Sequence, residues 1–326
     1  MHSAAKYILQ SGEGFKRNES LHDNVFWAGA AARISIVIPA FRYDASQLIE
    51  QLSRCQCSQL AEIIVYDDGT RDHDLLARME ETAGQVRAAV RIVSSITNHG
   101  RAGARNAAIK HARAEWIVLL DADMAPDNSK FIEFYLNAVE RVFDPVVIVG
   151  GCSLKFAPTS SVFALHRWQS RASECVSAEK RRTAPGKYVF TANVMAHRSV
   201  FEVCPFDEGF AGWGWEDTDW GLGVEAKFPI MHIDNTATHL GLESAPSLMG
   251  KYERSRANFA RLVEHHPDAA ASMPLYRAAR RARAMPFRKL FKAVAGGVAA
   301  SHLLPVAVRG PALKVWRAFV YAEALP

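Results

Sequence analysis

The chain reads as an α/β protein, a mostly parallel sheet with helices on both faces, followed by a basic helical tail. Three observations predict this. Short β-branched apolar runs alternate with stretches of helical periodicity, the rhythm of βαβ units. The runs are almost continuously apolar, as strands buried on both faces are. Carboxylates gather just beyond them, at Asp67 and Asp68 and again at Asp121 and Asp123, where open α/β sheets hold ligands.

The elements follow in order. The first 33 residues are polar and patternless, with Ser11, Gly12, Gly14 and Asn18 as breakers, and read as an extension that packs on the body or trails from it. A β-branched run at 33–39 ends at Pro39 and predicts the first strand. Leu48, Ile49 and Leu52 have helical spacing within 46–55. A second strand at 62–66 is stopped by Asp67-Asp68-Gly69-Thr70, and a helix at 75–83 leads to a third strand at 90–93. A helix at 102–112 precedes the fully apolar strand 116–120, which runs into Asp121-Ala122-Asp123. Beyond Pro126 the pattern predicts a helix at 128–143, a strand at 146–149, a helix at 161–182 and an extended stretch at 188–190. No glycine-rich phosphate loop follows the first strand, which speaks against a dinucleotide or P-loop protein.

Composition sets outer bounds. The 326 residues are 49% hydrophobic and 22% charged, ordinary for a globular chain large enough for a sizeable core. Residues 1–10 carry no apolar h-region, so no secretory signal is expected, and no run of 18 apolar residues predicts a membrane span. Five cysteines without a repeated spacing make no disulfide framework, and a reduced cytosolic setting is the default. The net charge of +5 conceals two unlike parts. Residues 246–326 hold 14 Lys/Arg against 4 Asp/Glu, and the preceding 245 hold 25 against 30. A basic C-terminal segment points to an anionic partner, membrane lipid or nucleic acid.

Several clusters have the makings of chemistry. Asp121 and Asp123 leave a buried strand two residues apart, a hard oxygen pair suited to a divalent cation that bridges phosphates; a solvated turn is the plainer alternative. Asp68 is placed to accept hydrogen bonds from a base or ribose, or else to cap a helix. Arg101 and Arg105 flank a glycine-rich helix start of the kind that suits a diphosphate. The block 206–220 packs three Trp, three Gly and five acidic residues into 15 positions. Within it Glu216 and Asp217 lie against aromatic walls, where desolvation raises a carboxyl toward the range of a general base, and Trp faces stack on sugar rings. His232 and His239, 15 and 22 residues beyond Asp217, are candidate ligands for a metal such as Mn²⁺. Cys55 and Cys57 lack partner ligands and read as packing residues.

Five motifs occur in register: 35–41 (SIVIPAF), 64–70 (IVYDDGT), 103–106 (GARN), 119–123 (LLDAD) and 212–217 (GWGWED). With them the chain resembles the inverting family 2 glycosyltransferases with a GT-A type, Rossmann-like fold, over roughly residues 33–242. The GWGWED block is also similar to that of β-1,4 galactosyltransferases. The resemblance implies a nucleotide-sugar pocket that includes Pro39, Phe41, Asp68, Arg105, Asp121 and Trp215. It implies Mg²⁺ or Mn²⁺ on Asp121, Asp123 and His239, with Asp217 as the catalytic base and Glu216 holding the acceptor or tuning the base. The donor it implies is a nucleoside-diphosphate sugar, with UDP the usual nucleotide, and the acceptor a glycan or lipid-linked molecule in polysaccharide assembly. On that reading 33–123 is the nucleotide-sugar-binding half and 124–245 the acceptor-binding half, flanked by an extension at 1–32 and the tail at 246–326. Two positions depart from the family pattern: Phe41 stands for a more frequent Tyr, and Gly221-Leu222-Gly223 for an Arg-Leu pair. A catalytically silent nucleotide-sugar-binding protein and a nucleotidyltransferase are the alternatives.

In the tail, Phe287, Leu290, Phe291 and Val294 fall at i, i+3, i+4 and i+7, and Leu313, Trp316, Phe319 and Val320 form a second apolar face. Basic residues flank both. They read either as interfacial helices on an anionic membrane, which would place the protein on the cytoplasmic face, or as a helical subdomain packed on the core. No nucleic-acid module accompanies the charge, so no nucleic-acid partner is expected.

Overall fold

The computed structural model describes residues 18–325, and the expectation of no apolar leader at 1–10 lies outside them. Eleven strands run in chain order among the described residues: β1 (Glu19–Asp23), β2 (Ile34–Ala40), β3 (Ala61–Asp67), β4 (Ala89–Ser95), β5 (Trp116–Leu120), β6 (Met124–Pro126), β7 (Val147–Val149), β8 (Cys152–Ser153), β9 (Asn193–His197), β10 (Ile230–His232) and β11 (Ala237–His239). Eight form a central sheet in the order β1-β4-β3-β2-β5-β9-β7-β10, and β6-β11-β8 form a small second sheet. Eight helices belong to the body: α1 (Ser46–Ser53), α2 (His73–Gln85), α3 (Gly100–Ile109), α4 (Phe131–Val139), α5 (Ala164–Ser173), α6 (Ala178–Arg181), α7 (Arg198–Val203) and α8 (Glu216–Glu225). Six more complete the chain: α9 (Ala245–Arg254), α10 (Arg256–His265), α11 (Pro267–Ser272), α12 (Pro274–Ala284), α13 (Arg288–Ala300) and α14 (Val306–Ala322).

The sheet is mixed, with four of its seven pairings parallel and three antiparallel. Strands β4, β3, β2 and β5 are mutually parallel, but β1 pairs antiparallel with β4, and β9 runs antiparallel between β5 and β7. The reversal at β9 has a local cause. The chain re-enters the sheet where β5 leaves it, with the Asp121 amide donating to the Ala192 carbonyl at 3.2 Å, so β9 must run back along β5. The stretch 188–190 is not a strand; a single 3₁₀ turn at Gly186–Tyr188 precedes β9. The long helix expected over 161–182 breaks into α5 and α6, with the Ser177 side chain capping the second. Residues 18–32 do not trail: β1 covers the edge of β4, and Trp27 is buried beneath the guanidinium groups of Arg91 and Arg113.

Period-two alternation divides the strands between two cores. Ile34, Ile36 and Ile38 face one side with Ile63 and Val65, while Val37, Ile64 and Tyr66 face the other with the alanines of α3. A third core joins α9–α14 to the body, packing Leu248, Phe259, Leu313, Trp316 and Tyr321 against Trp213 and Trp215 of the aromatic block. The C-terminal segment is therefore no separate tail.

Its two amphipathic faces have opposite fates. On α14, Leu313, Trp316, Phe319 and Val320 are all buried. At α13, Phe287, Leu290, Phe291 and Val294 remain 78%, 61%, 45% and 57% exposed. The described residues contain no helix long and apolar enough to cross a membrane.

Gly310 tests the seating of α14. A Cβ there would lie 2.4 Å from the indole of Trp168 on α5. Alanine favours an isolated helix by about 1 kcal/mol over glycine, yet overpacking costs about 1–3 kcal/mol. Gly310→Ala is expected to lower the urea midpoint; an unchanged or raised midpoint would mean that α14 does not rest on Trp168.

Candidate active site

The parallel strands end at one edge, and the sequence places polar turns there. Beyond β3, the Asp68 carboxylate accepts the backbone N–H groups of His99 (2.7 Å) and Gly100 (3.0 Å), which start α3. Burial pushes its carboxyl up in spite of these bonds. Asp68 therefore caps α3 from the neighbouring strand end. Pro39 and Phe41 lie at the adjoining end of β2, with Phe41 half-exposed. Nearby Tyr43 has its hydroxyl raised by burial and then by the charge of Asp123.

Helix α3 presents Arg101 and Arg105 one turn apart, so both reach the same two acids. Arg105 bonds Asp121 Oδ1 at 2.8 Å and approaches Glu216 at 3.5 Å; Arg101 bonds Asp121 Oδ2 at 3.0 Å and Glu216 at 2.5 Å. Burial opposes ionisation of Asp121, but Arg105 and Arg101 outweigh it and hold the carboxyl at about 2. The same two arginines outweigh burial at Glu216 and lower it. Arg105 is only 1% exposed and lies beneath Asp121, so it positions acids and presents no surface to a diphosphate. Both oxygens of Asp121 are taken by guanidinium groups, so it is ill-suited to ligate a metal.

Asp217 differs from its neighbour. It is half-buried, accepts a hydrogen bond from Thr191 Oγ1 at 2.8 Å, and faces a cavity of about 610 Å³. Burial first, and the charge of Glu216 second, push its carboxyl up to about 7 against the pull of Arg105 and Arg101. Two adjacent carboxyls are thus driven apart: one a fixed anion, the other poised to exchange a proton near neutrality.

The small second sheet supplies the remaining acid partner. Pairing of β6 with β11 sets His239 opposite Met124, bringing its Nε2 to 3.3 Å from Asp123 Oδ2. Gly241 allows this approach, since a Cβ there would come 2.0 Å from the same oxygen. Burial opposes protonation of His239, but Asp123 overcomes it and raises the imidazole; burial and the His239 charge lower the neighbouring His166 to about 4. A carboxylate and an imidazole converging at a cavity wall fit a borderline divalent ion whose other ligands are water and substrate oxygens.

His232 is not a ligand. Its Nδ1 accepts from Arg181 and its Nε2 bonds the Pro185 carbonyl, which makes it a buried structural group lowered by burial to about 4. A second cluster, unforeseen in the sequence, joins α8 to α10: Asp219 Oδ1 lies 2.9 Å from His265 Nδ1 and 3.1 Å from His266 Nε2, a set able to hold a metal ion.

The tryptophans have separate tasks. Trp220 stacks on Phe206 and Phe201 in the core. Trp215 starts α8 at φ +78°, a strained conformation for a bulky residue, with its ring against Phe259 and its indole N–H donating to Tyr321 at 3.2 Å. Trp213 meets Tyr252 edge-on at 5.5 Å. These contacts make α9 and α14 a wall of the cavity. Thr191 went unnoticed in the sequence because nothing marks a threonine before a short strand; Arg101 was visible as the residue one helical turn before Arg105.

Comparison with known proteins follows the same lines. The model of a family described as Glycosyl transferase family 2 matches residues 35–202. A dolichyl-phosphate beta-glucosyltransferase of Mus musculus is 26% identical over 116 residues, 32% of this chain and 36% of the mouse protein, so the match spans little more than a third of that relative. Among solved structures, a mannosyltransferase of Pyrobaculum calidifontis, in complex with GDP-Man and Mn²⁺, superposes with a TM-score of 0.53 at 18% identity, over 90% of this chain and 86% of that one. Residues 1–349 of TarS from S. aureus superpose with a TM-score of 0.50 at 13% identity, over 89% and 90% of the two chains. At such identities the structural likeness speaks for the fold alone.

Asp121 and Asp217 make opposite predictions for stability. Asp121→Asn leaves the buried Arg105 with Glu216 at 3.5 Å as its remaining counter-charge and should cost about 3–5 kcal/mol in a denaturant melt. Asp217 has a raised folded-state value, so the stability it contributes is present while it is protonated and is lost as pH rises through about 7. Asp217→Asn should therefore melt higher than wild type above pH 7; a lower melting temperature would contradict the assigned environment.

Proposed function

The chain belongs to glycosyl transferase family 2, and from that premise we propose that it transfers a sugar, with inversion, from a nucleoside-diphosphate donor to a hydroxyl of a glycan or lipid-linked acceptor. The observation that carries this reading is Asp217: a carboxyl raised to about 7, in one cavity with Asp123 and His239, and one residue from a Glu216 locked by arginines.

Asp217 takes the proton of the acceptor hydroxyl as its oxygen attacks the anomeric carbon, on the face opposite the departing diphosphate. Thr191 orients the carboxylate and stabilises its ionised form. Glu216 stays ionised and keeps Asp217 basic. Asp123 and His239 are the residues to hold Mg²⁺ or Mn²⁺, which neutralises charge on the leaving diphosphate when bound. The pocket for base and ribose forms around Pro39, Phe41 and Asp68 at the neighbouring strand ends, with Trp215 closing the sugar side. The similarity of the GWGWED block to that of β-1,4 galactosyltransferases supports this division of roles. UDP is the first nucleotide to try and GDP the second, since the superposable mannosyltransferase was captured with GDP-Man.

The exposed apolar face of Phe287, Leu290, Phe291 and Val294 lies beside Arg288 and Lys289, an arrangement suited to the surface of an anionic bilayer. On this reading the enzyme works peripherally at a cytoplasmic membrane face. Flotation with phosphatidylglycerol liposomes is expected for wild type and should be lost in a Phe287→Ser/Leu290→Ser variant; equal flotation of the two would refute the docking face.

A panel of UDP- and GDP-sugars incubated with the protein and Mn²⁺ should yield free nucleoside diphosphate. Asp217→Asn should lower turnover by about 10²–10⁴-fold, and the acid limb of the wild-type rate should fall near pH 7, since only the ionised carboxylate accepts a proton. Thr191→Val removes a donor to that anion and should move the limb upward. Pyrophosphate release would decide for a nucleotidyltransferase. No turnover of any donor, with intact nucleotide-sugar binding, would decide for a silent binding protein.

A further inference from the structure

We propose a zinc site outside the cavity, formed by Asp219 of α8 with His265 and His266 at the junction of α10 and α11. Glu216, Asp217 and Thr218 of α8 line the cavity, whereas Asp219, His265 and His266 stand outside its lining, so the site does not rest on the transfer reading. Asp219 Oδ1 lies 2.9 Å from His265 Nδ1 and 3.1 Å from His266 Nε2, and the three ligand atoms all lie within 4.8 Å of one another. Ligands about 2.0–2.2 Å from a zinc ion stand roughly 3–3.5 Å apart. Two edges of the triangle already have that length, and rotation of the part-exposed imidazoles closes the third.

Each ligand sits on fixed backbone. The Asp219 amide donates to the Trp215 carbonyl at 2.9 Å in the first turn of α8. The His266 amide donates to Leu262 and its carbonyl accepts from Ala270, both at 2.9 Å, so α10 and α11 hold the histidine pair from either side. The Phe210 ring meets the His265 ring edge-on at 6.0 Å and limits its tilt. The local charge also suits a dication. Asp207 Oδ2 lies 4.0 Å from His265 Nδ1 and accepts from Arg261 at 2.6 Å, and Asp219 and Glu264 add their charges around the same guanidinium. Those four groups sum to two negative charges. Two imidazoles and one carboxylate select zinc over magnesium, with water completing the tetrahedron. Without the ion the same contacts are two N–H donors on one oxygen. On binding, each neutral imidazole shifts its proton to the other ring nitrogen and presents a lone pair to the metal. The ion clasps the helix that begins with Glu216 and Asp217 to the C-terminal helices.

Full-length protein stripped with EDTA and desalted is titrated with Zn²⁺ against a chromophoric chelator, in the absence of nucleotide. Asp123→Asn, which removes the carboxylate beside His239, separates this site from the cavity. One equivalent of Zn²⁺ should bind equally well to wild type and Asp123→Asn. His265→Gln and, independently, Asp219→Asn should each weaken that binding tenfold or more; the second keeps a hydrogen-bond acceptor but removes the anionic ligand. Co²⁺ in place of Zn²⁺ should give a visible ligand-field band that the same variants lose. Zn²⁺ should also raise the melting temperature of wild type and leave that of His265→Gln/His266→Gln unchanged, with melting in EDTA showing that the variant is folded. Zn²⁺ binding at wild-type strength in His265→Gln/His266→Gln would overturn the proposal, as would failure of Asp123→Asn to bind the ion. A wild-type melt indifferent to Zn²⁺, with variants destabilised in EDTA alone, would make the trio a hydrogen-bonded clasp and overturn it too.

Discussion

The site depends on four clustered charges, two of which, on Arg105 and Glu216, are buried. Arg101 and Arg105 of α3 hold Asp121 at the end of β5 and Glu216 at the start of α8, two segments 95 positions apart in the chain. An ion cluster of this kind adds little net stability over a well-packed apolar one, because desolvation offsets most of the attraction. Its value here is positional. Each acid has its orientation set by a guanidinium fork, and removing one member leaves the others uncompensated. The direction of α3 is itself set from β3, whose Asp68 accepts the first amides of the helix. A chain of polar contacts therefore runs from one strand end through α3 to the next strand end and on to α8. Asp217 inherits its place and its raised proton affinity from that chain.

The aromatic block performs a second kind of positioning. Trp213 and Trp215 turn toward the C-terminal helices and bind them to the body, while Trp220 turns inward. Trp215 takes a left-handed backbone just before α8. Helix α14 thereby becomes part of the cavity. The excess positive charge of the last 81 residues is then of two sorts, cations that face the cavity and cations beside the exposed face of α13.

Much of the architecture was legible in the residues. Strands β2, β3 and β5 are short apolar runs closed by turn chemistry, and their bounds follow from local sterics and solvation. The raised carboxyl of Asp217 follows the expected desolvation in the aromatic block, with burial its first cause. Three matters were not legible. The direction of β9 depends on where the chain re-enters the sheet, which no five-residue pattern encodes. The role of Arg105 depends on Asp121 and Glu216 lying beside it, and from sequence alone an arginine at a helix start looks like a phosphate ligand. The approach of His239 to Asp123 depends on the pairing of β6 with β11, a contact between two three-residue strands, although the resemblance had already singled out His239.

The opposite fates of the α13 and α14 faces mark the same boundary. Sequence determined by itself that the chain is an α/β protein with acids at strand ends and two amphipathic basic helices, because period and solvation act over a few residues. Tertiary structure decided which helix is buried, which acid is locked and which stays basic, and which cations face a cavity. Those outcomes turn on distances between residues far apart in the chain, and burial and Coulomb interactions are set by those distances.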